Sequence, residues 1–236
     1  MTNPSHTAPH PLYLFADSQL LFWKQGERRL LEAMLEPVCG ESARAAYLGA
    51  SNGDRPEFYE IFKAALGNVG WSDSRMITAA FQADERAWLE SAQVILLAGG
   101  DVRLGWETFE RTGIREVLLS RYAQGAVLIG ISAGAVQLGR HALLEGRSSA
   151  ATELVNMLNL APAVVDVHEE ADHWARLSNA VHLLEGTVTG LGIPSGGGLA
   201  VHPDTTFEPI RHPAHEFVFD GTQVTHSLLW PTPSPA

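Results

Sequence analysis

A single cysteine, Cys39, is the chain's whole thiol content. That rules out an internal disulfide and any cysteine-rich zinc site. Cys39 lies between Val38 and Gly40, after an expected helix and with no strand leading into it, so a catalytic thiol is not expected there. Basic residues are also scarce. Sixteen Lys and Arg against 27 Asp and Glu give a formal net charge of −11, and phosphate backbones seek a basic face, so no nucleic-acid partner is expected. Long apolar runs are missing too. The longest, 94–98 and 126–131, are far too short to span a bilayer, and 1–11 is polar and proline-containing with no signal-peptide stretch. The expectation is a cytoplasmic protein with no membrane partner.

What is present is a core-forming composition. Hydrophobic residues make up 45% and charged residues 18% of 236 residues, enough to bury one full core. Residues 1–10 are expected to be a flexible arm, 11–230 a single α/β domain and 231–236 a flexible tail. Apolar strands are expected at 12–16, 44–50, 75–78, 93–98, 126–131 and 163–167. Helical spacing falls at 27–36, 54–66 (with Asp54 as N-cap and Pro56 in the first turn), 84–91, 103–111 and 114–124. Strands that are apolar throughout, alternating with helices, imply a mostly parallel sheet flanked by helices on both faces. The last third differs. Segments 187–193, 198–202, 217–219 and 223–227, with a turn at Asp220-Gly221, are expected as antiparallel C-terminal strands.

One of these strands runs directly into Gly130-Ile131-Ser132-Ala133-Gly134, a G-x-S-x-G pattern opening a helix of small residues. A nucleophile on such an elbow has a strained backbone. Its neighbours must be small because a side chain there would strike adjacent backbone. The turn presents the hydroxyl at the carboxyl end of the sheet and aims the first helical amides at the reacting oxygen. Ser132 is the candidate nucleophile. Of ten histidines, His168 is the best candidate base, because it too follows a strand. Gly99-Gly100 ends a third strand, where amides approach a substrate closely because glycine has no Cβ. The backbone N–H groups of Gly100 and Ala133 are the expected oxyanion hole.

Leu96-Leu97-Ala98-Gly99-Gly100-Asp101, Gly130-Ile131-Ser132-Ala133-Gly134-Ala135 and Val164-Val165-Asp166-Val167-His168, together with Arg103-Leu104, resemble the dipeptidase E and cyanophycinase family of serine peptidases. The resemblance runs from about Leu12 to His202. It implies a class I glutamine amidotransferase-like fold with serine in place of cysteine, Ser132 as nucleophile, His168 as base, and hydrolysis of dipeptides or short peptides without a cofactor or metal. Asp101, Arg103, Trp174 and Arg176 are the expected substrate-binding side chains.

The chain departs from the family where a glutamate is expected to orient the histidine. The segment reads Gly192-Ile193-Pro194-Ser195-Gly196, and a serine cannot stabilise imidazolium by charge. Losing an orienting carboxylate can cost about 10⁴ in rate. The candidates for the third group are Asp166, Glu169, Glu170, Asp204 and Ser195 itself. Three acids precede Arg176, the one match to a basic family position, and Val102 and Val167 replace the glutamines typical of cyanophycin-degrading members. A specificity other than for acidic side chains is therefore expected. Three rival readings stand beside this one. An α/β-hydrolase esterase would use Ser132, Asp204 and His226. A metal could be held by Asp166, His168 and His173, although the two histidines are five apart where a zinc helix needs four. A non-catalytic binding protein could keep the same scaffold. A homodimer is compatible with the sequence.

Overall fold

The computed structural model describes residues 9–40, 42–146 and 152–232; most of the expected arm and tail lies outside them. In chain order the strands are β1 (Leu12–Phe15), β2 (Lys24–Gln25), β3 (Arg28–Arg29), β4 (Ala45–Leu48), β5 (Ser74–Ile77), β6 (Val94–Leu97), β7 (Val127–Ile131), β8 (His141–Glu145), β9 (Thr152–Asn156), β10 (Ala163–Val167), β11 (Thr189–Ile193), β12 (Gly198–Val201), β13 (Phe207–Ile210), β14 (Ala214–Phe219) and β15 (Val224–Leu229). The helices are α1 (Leu30–Leu35), α2 (Pro56–Gly67), α3 (Ala83–Ser91), α4 (Val102–Thr112), α5 (Ile114–Ala123), α6 (Ala133–Leu138) and α7 (Ala175–Leu183).

Seven strands form the central sheet in the order β13-β12-β1-β7-β6-β4-β5. The run from β1 to β5 is parallel, with β12 and β13 added antiparallel at one edge. Alternation along the central strands fills two separate cores. Ile95, Leu97, Leu128 and Leu48 face a layer built from α3, α4, α5 and α6, including Leu89, Phe109, Leu118 and Leu138. Val94, Leu96, Ile129 and Tyr47 face Leu31 and Met34 of α1 and Phe62 and Leu66 of α2. Every residue of β6 is fully buried. The continuous apolar run thus reflects helices on both faces, because a strand covered on both sides has no solvent-facing positions.

A second sheet, β10-β11-β14-β15, lies beside the first. On one side Val165, Val167, Leu191 and Ile193 join the first core; on the other Val164 and Phe217 pack with Trp174, Leu177 and Val181 on and before α7. Segment 187–193 is therefore not one of the expected antiparallel additions. β11 pairs parallel with β10, Val167 opposite Ile193, because α7 supplies the crossover that a parallel pair requires.

Three other expectations need correction. Segment 27–36 is not one helix: β2 and β3 form a small hairpin, and the helix starts only at Leu30. Asp54 does not cap α2; Arg55 holds that position without a side-chain bond, and Asp54 sits at φ +60° with its carboxylate accepting from the Ala79 amide at 2.8 Å. The hairpin β8–β9 and strand β13 carry no clear alternating pattern in the sequence and were not expected.

Candidate active site

Three strand ends converge. β7 delivers Ser132, β6 delivers Gly99-Gly100, and β10 in the second sheet delivers His168. Ser132 lies at φ +49°, ψ −111°, a region costly for any residue with a Cβ. The flanking glycines are required by space. A Cβ on Gly130 would lie 2.6 Å from the Ala135 amide nitrogen, and one on Gly134 would lie 2.2 Å from the Leu97 carbonyl oxygen. The elbow is fixed from both sides: the Ser132 amide donates to the Phe15 carbonyl at 2.8 Å, and the Ser132 carbonyl accepts from Ala135 at 2.9 Å. All six residues of α6 are buried, since this short helix lies between the two sheets. Its small side chains allow that packing.

His168 is held in a comparable way. Its amide continues the β10–β11 ladder by donating to the Ile193 carbonyl at 3.0 Å, and its backbone turns to φ +46°. This brings Nε2 to 2.9 Å from the Ser132 hydroxyl oxygen. Gly100, at φ +134°, packs so tightly on the Ser51 carbonyl that a Cβ would come within 2.1 Å of it. The next amide, Asp101, donates to that same carbonyl at 2.7 Å. A buried polar link supports the loop from below: Gln137 of α6 donates from Nε2 to the Ser51 hydroxyl and to the Val102 carbonyl, both at 3.0 Å.

The five candidates for orienting His168 separate clearly by their partners. Asp166 is buried and accepts two bonds from Arg176, at 2.7 and 3.0 Å. Glu169 accepts from the same guanidinium at 2.9 Å. Asp204 closes its own turn by accepting from the amide and hydroxyl of Thr206. Ser195 donates its amide to Glu170. Glu170 has an electrostatic interaction with His168. Burial pushes the Glu170 carboxyl up, but bonds from the Ser195 and Glu170 amides and the Ser195 hydroxyl, with the charge of the His168 ring, hold it below its ordinary value of 4.5. Glu170 thus brings a carboxylate to Ser195, the position where the family's glutamate is expected.

Two clefts meet at Ser132, His168 and Gly100. One, of about 450 Å³, is walled largely by apolar side chains of α2, β4, β6 and the segment after β1. The other, of about 830 Å³, is more polar and holds Asp101, Arg103 and Arg176. Asp101 caps α4 by accepting from the Leu104 amide at 2.8 Å, and Arg103 pairs with Glu153 at 3.1 Å. Trp174, expected to bind substrate, is buried against Gly192 and the His215 ring and lines neither cleft. In the sequence the apolar wall shows only as Phe58 and Ile61, three apart on the outer side of the otherwise amphipathic α2.

The rival constellations are not assembled. His226 hydrogen-bonds to His215 at 2.9 Å across β14 and β15, while Asp204 sits in its own turn. Among the described residues no group of three or more His, Cys, Asp or Glu side chains is arranged to hold a metal. No helix of the described residues is long and apolar enough to cross a membrane.

An α/β fold with a serine on a strand-to-helix elbow and a histidine at hydrogen-bond distance is the layout of a serine hydrolase. Solved structures share the fold. A peptidase from an acI-B1 Actinobacterium superposes with a TM-score of 0.65 at 14% identity, covering 93% of this chain and 94% of that one. A candidate peptidase E from Listeria monocytogenes EGD-e gives 0.59 at 19% identity, covering 94% and 100%. No curated protein matches the chain. The family model for peptidase family S51 matches residues 15–208. The chain belongs to peptidase family S51 and is a serine-type peptidase.

Proposed function

We propose that the enzyme hydrolyses dipeptides or short peptides through an acyl-enzyme on Ser132. As the Ser132 oxygen attacks the scissile carbonyl, His168 Nε2 takes its proton. The carbonyl oxygen, now negative, is received by the amides of Gly100 and Ala133. His168 then returns the proton to the leaving amine, and water repeats the sequence to free the acyl group. The observation that carries this reading is the 2.9 Å approach of His168 Nε2 to the Ser132 hydroxyl at the meeting of two clefts.

For Nε2 to accept that proton, the neutral ring must carry its own hydrogen on Nδ1. We assign the charge that favours this tautomer, and the imidazolium that follows, to Glu170. Glu170 is a positioning residue acting through His168. Short substrates suit clefts of this size, which fall within or near the range of about 300–1,000 Å³ typical of small-ligand sites.

The test is a dipeptide-library screen with the wild type, Ser132→Ala and His168→Ala. Wild type should release amino acids. Ser132→Ala should be inactive, and His168→Ala should lose at least about 10²-fold in kcat/KM. Undiminished hydrolysis by Ser132→Ala would refute the assignment.

A further inference from the structure

The smaller cleft is chemically one-sided. Its wall includes Leu21, Tyr47, Phe58, Ile61, Phe62 and Leu96, and it opens directly onto Ser132. Phe58 and Ile61 are 41% and 36% exposed. They lie three apart on α2, hence on one face, whereas Phe62, Ala65 and Leu66 of that helix enter the core. Isolated exposed apolar residues are ordinary. Two of them sharing a cavity with a nucleophile provide a surface that a substrate side chain can cover.

The polar groups of this cleft are already engaged. Burial pushes the Tyr47 phenol up to about 12, so it stays neutral, and its oxygen accepts from Asn52 at 2.9 Å. Arg55 at the rim is paired with Glu57 at 2.5 Å and lies over the Phe58 ring at 5.2 Å. Asp17, the one carboxylate in the wall, accepts from the Gln19 and Gly196 amides and repels a second anion. In the polar cleft the guanidiniums are matched as well, Arg103 by Glu153 and Arg176 by Asp166 and Glu169. An acidic substrate side chain would therefore leave water and find no guanidinium without a carboxylate partner, which is unfavourable. An apolar side chain gains by the same transfer.

We infer that this cavity is the subsite for a large apolar or aromatic side chain on a residue flanking the scissile bond, so that the enzyme prefers peptides carrying phenylalanine or leucine there and handles aspartyl peptides poorly. The inference rests on the serine-peptidase reading above and adds its substrate class.

The experiment compares kcat/KM for X-Leu and Leu-X dipeptides with X as Phe, Leu, Ala, Asp or Lys, using wild type, Phe58→Ala and Ile61→Ala. At one of the two positions Phe and Leu should exceed Ala by at least about tenfold and Asp by more. Each variant should reduce the Phe-to-Ala ratio severalfold; both side chains are partly exposed and belong to neither face of the buried core, so the fold is kept. Preference for Asp at both positions, or an unchanged Phe-to-Ala ratio in both variants, would overturn the subsite and leave the peptidase reading standing. Hydrolysis of none of these peptides, with Ser132 inert to a serine-directed phosphonate, would remove that reading and the subsite with it.

Discussion

Ser132 carries backbone strain because its position serves the hydroxyl rather than the chain. A residue with a Cβ held at φ +49°, ψ −111° costs about 1–3 kcal/mol relative to a relaxed conformation, and glycine escapes most of that cost. Ser132 is the N-cap of α6, a position where glycine is already preferred to alanine. The positive φ should widen that gap. Ser132→Gly is expected to be more stable than Ser132→Ala by about 2 kcal/mol, the N-cap preference and the relieved strain together, a Tm difference of about 4–8 °C for a chain of this length, with both variants inactive. Thermal melts of the two variants provide the check; a glycine variant no more stable than the alanine one by about 1 kcal/mol, the N-cap difference alone, would show that the elbow is not strained.

Among elements, the segment from His168 to Trp174 decides how the site works and was the hardest to anticipate. Its backbone visits positive φ at His168, His173 and Trp174, none of them glycine, so no turn signal in the sequence marks the path. That path carries Glu170 back to the Ser195 amide and puts its charge near His168, while Asp166 and Glu169, as close in sequence or closer, go to Arg176. The strand ends were legible because mostly apolar strands run into Gly99, Ser132 and His168, with Asp166 the one acid among them; the partners of the acids were not, because they depend on three left-handed residues and a contact between separate loops. His215, also facing Glu170, has its imidazole pushed down by burial and by His226.

Replacing Glu170 with Gln keeps an acceptor for the Ser195 amide and removes only the charge. In Glu170→Gln kcat should fall about tenfold with KM little changed, because a positioning charge acts on the reacting imidazole rather than on substrate binding. In the wild type the folded-state pKa of Glu170 is depressed below 4.5, so its contribution to folding is present above that value and is lost as pH falls through the folded value. An unchanged kcat would show that Glu170 acts on the loop alone.

At the scale of the whole molecule, the sequence pattern identified a parallel sheet with helices on both faces because its central strands have no polar positions to misassign. It did not reveal that the C-terminal third divides between two sheets, β12 and β13 extending the first while β11, β14 and β15 build the second. That division matters for chemistry. Ser132 belongs to one sheet and His168 to the other, and α6, buried between them, sets their separation. Catalysis depends on that junction. Its most direct test is the rate at which a fluorophosphonate labels the protein, with the adduct located by peptide mass spectrometry in wild type and His168→Ala. The adduct is predicted on Ser132, forming at least about 10²-fold more slowly without the imidazole. Labelling that avoids Ser132, or that proceeds equally fast in His168→Ala, would contradict it.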